Sequence, residues 1–122
     1  MNKYLIAASF VALFASPTFA DDDVMAGFYG NTVVSTGGSA TIRTHYRPDH
    51  TFDFVGSMMF ISRTFRGTWA LDDKGNICRT YVGDAPPDTP NPNCTPVVAR
   101  KIGEVWKSKD GKRTLTLKAG VQ

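Results

Sequence analysis

His45, Tyr46, Asp49 and His50 fall within six residues, and a histidine beside a carboxylate can move protons near neutral pH. Two histidines in such a group can also ligate a metal, and Met58-Met59 adds thioether donors of the kind copper accepts. Neither use is supported by a specific spacing. The run from Ala40 to Arg47 alternates, with Ile42, Thr44 and Tyr46 on one face and Arg43, His45 and Arg47 on the other. His45 therefore reads as exposed, on the polar face, and His50 follows the turn Arg47-Pro48-Asp49-His50. No catalytic or metal-ligating residue is assigned, and no cofactor is implied. Gly-x-Ser-x-Gly does not occur, the paired glycines lack phosphate-loop spacing, and Asp72-Asp73 and Asp110 read as turn residues.

Arg63 raises a different chemistry. In FISRTFRGTWAL the positions Ile61, Arg63, Phe65, Gly67, Trp69 and Leu71 share one face of an extended chain, apolar except for the arginine. Two orientations stay open. If that face is internal, Arg63 must be paired or meet an anion, because burying a lone charge is expensive. It would then be the polar anchor of an apolar cavity, the usual composition of a small-molecule site, with Tyr46, Phe54, Arg63, Phe65 and Trp69 as ligand-binding candidates. A bulge at Gly56 to Met58 would instead shift the register and send Arg63 outward.

The two cysteines, Cys78 and Cys94, bracket CRTYVGDAPPDTPNPNC, which holds four of the seven prolines. Their state depends on compartment. The first twenty residues carry one charge, Lys3, an apolar run from Tyr4 to Ala15, and small residues up to Ala20. This is the layout of a secretory signal peptide, with cleavage expected between Ala20 and Asp21. We expect residues 1–20 to be a leader and residues 21–122 a single exported, periplasmic or secreted domain. In an oxidising compartment two cysteines most simply form one disulfide, Cys78–Cys94. Closing a loop of that length contributes about 3 kcal/mol.

The elements that position these residues are short and β-rich. Runs read as strands are Tyr29 to Thr36, Ala40 to Arg47, Thr51 to Val55, Met59 to Leu71, Asn76 to Val82, Cys94 to Arg100, Gly103 to Ser108 and Arg113 to Ala119. Turn signals separate them, among them Gly37-Gly38, Gly56-Ser57, Asp72-Asp73-Lys74-Gly75 and Lys101-Ile102-Gly103. Connections this short make neighbours antiparallel. The expectation is an all-β fold, a small antiparallel up-and-down β-barrel of about eight strands with one disulfide, in preference to a two-sheet sandwich. APPDTPNPN lacks the donors of a strand and reads as a stiff loop between the fifth and sixth. A helical turn or two is expected only around Asp22 to Gly27.

The net charge is +3, one unit of it Lys3, and the remaining basic residues are spread along the chain. This argues against a nucleic-acid partner. The leader's apolar run is too short for a comfortable membrane span.

Gly27-Phe28-Tyr29 and RGTWALDDKGNIC carry a resemblance to the calycins, the group of small secreted barrels that includes lipocalins, avidins and bacterial metalloprotease inhibitors. Lipocalins open on Gly-x-Trp and pack a late basic residue over that ring; here Tyr29 takes the tryptophan's place and Arg113 is the candidate basic residue. In length and single disulfide the chain is similar to the periplasmic metalloprotease inhibitors, whose N-terminal segment corresponds to Asp21 to Ala26 here. It also resembles small exported alphaproteobacterial proteins of no assigned activity, with a similar Gly-Asn-Thr start, Gly-Thr-Trp and two cysteines. These readings imply a barrel that binds a small apolar or amphipathic ligand. The alternative is an inhibitor of an exported hydrolase, acting through its N-terminal segment or Pro86 to Pro92. A third is a barrel isomerase or cyclase that uses His45 or Asp49.

Overall fold

The computed structural model describes residues 23–122. The expected leader, its cleavage site and Asp21-Asp22 lie outside the described residues. A single helical turn at 23–25 is followed by eight strands: β1 (Thr32–Thr36), β2 (Thr41–Tyr46), β3 (Thr51–Met58), β4 (Ile61–Leu71), β5 (Asn76–Val82), β6 (Asn93–Pro96), β7 (Val105–Lys107) and β8 (Thr114–Lys118). They form one antiparallel sheet in the order β6-β5-β4-β3-β2-β1-β8-β7. The fold is thus all-β and up-and-down, as the strand spacing predicts. The sheet curls into a half-barrel: Thr95 and Pro96 of edge strand β6 and Trp106 of edge strand β7 face one common cavity.

Two expected turns fall elsewhere. Gly56-Ser57 does not end a strand, because Gly56 pairs with both Ile42 and Arg63 and the ladder runs on to Met58 opposite Ile61. The chain reverses at Met59-Phe60, with Met59 at a φ of 54°. The hairpin therefore overshoots its neighbours and leaves an apolar tip in solvent, with Phe60 98% exposed. Lys101-Ile102-Gly103 does not join β6 to β7 as a hairpin either. The connection spends its backbone groups on other elements: Val97 N–H donates to the Gly75 carbonyl at 3.0 Å, Gly103 N–H to Leu117 at 2.7 Å, and Leu117 N–H to Glu104 at 3.1 Å. The ladder stays open between β6 and β7.

One end of the half-barrel is plugged. Met25 is fully buried and Phe28 nearly so, with Phe28 edge-on to Tyr46 at 5.9 Å. The plug is braced on the crossing connection, where a side chain at Gly27 would lie 2.2 Å from the Arg100 carbonyl. Phe52, Phe65, Trp69, Ile77, Tyr81 and Leu117 complete the core. Strand β4 shows the period most plainly, burying Phe65, Gly67 and Trp69 while Thr64, Arg66, Thr68 and Ala70 face solvent.

The outer face has its own cover. His45, expected to be exposed, is only 8% accessible. The segment after β8 folds back over it, so that Gln122 O lies 3.1 Å from Nε2. Thr32 fixes this return, donating its hydroxyl to Gly120 O at 2.7 Å and accepting Gln122 N–H at 3.0 Å. Local alternation placed His45 on the correct face, but covering by a distant segment decided its burial.

The disulfide Cys78–Cys94 forms, joining residues directly opposite each other on β5 and β6. Asn91 reinforces it from inside the Pro-rich loop, accepting Tyr81 N–H at 2.9 Å and donating to Tyr81 O at 3.3 Å, as a strand residue would. The loop is a stapled connection with its end tied to β5.

Two stability outcomes follow. A methyl at Gly67 would meet the Thr80 backbone oxygen at 2.0 Å and the Phe52 ring at 2.9 Å; Gly67→Ala should cost about 3 kcal/mol in urea unfolding. Gly56→Ala, with nothing within 4 Å, should stay within about 0.5 kcal/mol of wild type. Equal losses at both positions would refute the packing account. Cys78→Ala/Cys94→Ala should lose about 3 kcal/mol, the loop-closure contribution, and unchanged midpoints would show that Asn91 alone holds the loop.

Candidate functional site

The inward positions of the strands are filled unevenly. Around β3, β4 and β5 they carry Phe52, Phe65, Trp69 and Tyr81, whereas β1 and β2 offer Val33, Ser35, Ile42 and Thr44. An eight-stranded sheet curled this tightly can be filled by side chains or can hold one small ligand. Small residues on one side leave a cavity of about 380 Å³. Val33, Ile42, Phe54, Trp106 and Leu115 give it an apolar wall. Exposed Pro96, Lys107 and Lys109 frame the part that meets solvent.

Ten of the sixteen residues that line the cavity are polar, and five of those are cationic. Arg79 lies between Ile77 and Tyr81 on the inward face of β5, half-buried. It donates from Nη1 to the Tyr46 hydroxyl and from Nη2 to Thr95 Oγ1, both at 2.9 Å. Arg113 is a brace for the β1–β2 hairpin: Nε donates to Ser35 Oγ at 2.6 Å, Nη1 to Gly37 O at 2.6 Å, and Nη2 to Ser35 O at 2.9 Å and Ala40 O at 2.8 Å. Arg100 lies over the Trp106 ring, 4.3 Å from its centroid, and is paired with Glu104. Burial raises the Tyr81 phenol above its ordinary value of 10.0, against the opposing pull of nearby Arg79, so Tyr81 is neutral at physiological pH.

Tyr46 and Phe54, expected from the sequence, both line this cavity. Phe65 and Trp69 lie in the packed core behind it. Phe65 contacts Phe54 edge-on at 6.1 Å, and Trp69 donates its indole N–H to Arg47 O at 3.0 Å. Arg63 has the inward parity of Phe65 but sits where the β3–β4 hairpin has passed beyond the core. Its side chain is 57% exposed, with the guanidinium 4.8 Å from the Phe65 ring centroid and 3.9 Å from Asp84. Among the cationic residues that do line the cavity, Arg79 has the inward parity on β5. The same period-two reading applied to NICRTYV would have found it, since Ile77, Arg79 and Tyr81 alternate as Phe65, Gly67 and Trp69 do.

The histidine cluster disperses. His45 faces outward to Gln122, Tyr46 inward to Arg79, and Asp49 is held by Thr51 at its turn. His50 stacks on Trp69 with ring centroids 4.1 Å apart, its Nδ1 3.0 Å from Trp69 O. Among the described residues no three His, Cys, Asp or Glu side chains converge on a point that could hold a metal ion. Tyr29 packs against Trp69 at 6.3 Å, apart from the Arg113 brace.

Glu104 holds the wall at Arg100 in place. The hydrogen bond from Arg100, then the one from Lys101 N–H, lowers its carboxyl below the ordinary value of 4.5. A carboxyl with a lowered folded value contributes stability above about pH 4.5, and the contribution disappears as pH falls through the folded value. Glu104→Gln should therefore be less stable than wild type at pH 7. The gap should close as pH drops below about 4.5. Urea midpoints taken across pH 3–7 check this, and a gap that did not shrink at all between pH 7 and pH 3 would exclude the ion pair as its source.

Comparisons with protein-family models, curated proteins and solved structures find no match to the chain, so the functional reading rests on this geometry.

Proposed function

We propose that the protein is an exported half-barrel that binds one small apolar or amphipathic molecule in its interior. The observation that carries the reading is the cavity of about 380 Å³. Its size falls in the range of about 300–1,000 Å³ typical of small-molecule sites, and Val33, Ile42, Phe54, Trp106 and Leu115 give it apolar wall for a ligand body. The disulfide is compatible with an oxidising compartment.

The other two readings draw less support. An inhibitor working through its N-terminal segment needs that segment free, yet Met25 is fully buried in the barrel end, which leaves that reading only the loop from Pro86 to Pro92. A proton-transfer enzyme would need His45 or Asp49 in the cavity wall, and neither lines it.

The neutral fluorophore N-phenyl-1-naphthylamine tests the proposal. It should bind one per chain, with Trp106 emission changing as the cavity fills. Ile42→Trp places a large ring in the cavity wall and should weaken binding at least tenfold while the far-ultraviolet spectrum stays that of wild type. Absence of saturable binding, or binding indifferent to Ile42→Trp, would remove the reading.

A further inference from the structure

We infer that the ligand of this cavity carries an anionic head, a carboxylate or comparably compact anion, seated at Arg79, Tyr46 and Thr95. The inference rests on the binding reading above and narrows the ligand class. It starts from the direction of two hydrogen bonds. Arginine can only donate, so the bonds from Arg79 to Tyr46 Oη and Thr95 Oγ1 make both hydroxyl oxygens acceptors. Each hydroxyl keeps its hydrogen for another partner. Neither makes a second hydrogen bond among the described residues. The guanidinium has five N–H groups, of which these bonds use two. The cluster therefore presents donors from three side chains toward one region of the cavity wall.

Charge points the same way. Arg79 makes no ion pair among the described residues, and its two partners are neutral. The cavity lining includes Arg79, Arg100, Arg113, Lys107 and Lys109, and no carboxylate. Arg100 is neutralised by Glu104, and Arg113 is spent on the hairpin. Arg113 likewise has no carboxylate partner, but four of its five N–H groups are bonded to the hairpin, whereas Arg79 faces the cavity with an unmatched charge and donors to spare. A guanidinium held between hydroxyls at the edge of an apolar wall is matched by a planar anion with an apolar body, which restores the missing countercharge. A neutral ligand would leave that charge as it is, and a cationic one would be repelled.

Competition against N-phenyl-1-naphthylamine at pH 7.5 tests this with a matched pair, decanoate and decanol. Decanol is the more apolar of the two, so non-specific burial favours it. Decanoate should nevertheless displace the fluorophore at a concentration at least tenfold lower. Arg79→Gln should bring the two to parity, read as the ratio of their displacing concentrations on that variant. Arg79→Lys should keep part of the preference, and Tyr46→Phe, which removes one hydroxyl donor, should reduce it about threefold. The wild-type comparison needs no variant, so a folding defect in Arg79→Gln does not blunt the test. If decanol matches decanoate on the wild type, or if neither displaces a fluorophore that binds, the anion inference is overturned and the cavity reading stands. If the fluorophore itself does not bind, both fall.

Discussion

A single sheet with one apolar face, and no second layer among the described residues, has to bury that face against itself. The described hundred residues provide one helical turn and eight strands, so the sheet curls until its two edges look into the same space. Curling needs close approach at some points and bulk at others. Gly67 lets the Thr80 carbonyl and the Phe52 ring come within distances that a methyl would block. On either side of it Phe65 and Trp69 fill the interior that the curl creates. The N-terminal turn then closes one end with Met25 and Phe28. Closure of the last gap, between β6 and β7, is left to side chains and to the crossing connection, whose backbone is already bonded to Gly75 and Leu117.

This division of labour explains why the interior is hollow on one side. Large aromatics enter from β3, β4 and β5 and pack edge to face, Phe52, Phe54 and Phe65 each meeting Tyr81. Apart from Tyr46, whose hydroxyl reaches Arg79, β1 and β2 contribute valine, serine, isoleucine and threonine, which do not reach across. The same small residues let Arg113 lie along the β1–β2 hairpin and bind Ser35, Gly37 and Ala40. A brace that saturates four donor positions holds its hairpin without needing a packed core behind it.

Much of this was legible in the chain. Strand count, antiparallel order and the stiff Pro-rich loop follow from local pattern, because alternation and turn chemistry are local causes, and the disulfide follows from the cysteine count and the expected compartment. What the pattern could not supply was non-local. His45 lies on the face that alternation assigns, yet is buried by residues some seventy positions away. Arg63 has inward parity, yet its strand outruns the core, since the β3–β4 reversal comes at Met59-Phe60 and not at Gly56. Of the expected wall, Tyr46 and Phe54 line the cavity while Phe65 and Trp69 pack behind it. Even direct cross-strand partners divide this way, Phe54 in the wall opposite Phe65 in the core, and parity does not encode that division. Arg79 is legible in NICRTYV, where it alternates with Ile77 and Tyr81.

Position along the barrel separates what the two arginines can do. Arg63 and Arg79 both occupy inward-parity positions on neighbouring strands, and both have an aromatic neighbour on that face. Arg63 stands where water reaches it and where Asp84 is at hand, so its charge is solvated and screened. Arg79 is drawn partly out of water and given only hydroxyls, which orient a guanidinium without neutralising it. Such a site holds a residual cost that an apolar side chain of similar volume would avoid. Structural economy therefore argues against an arginine at this position, and recognition of an opposite charge argues for one.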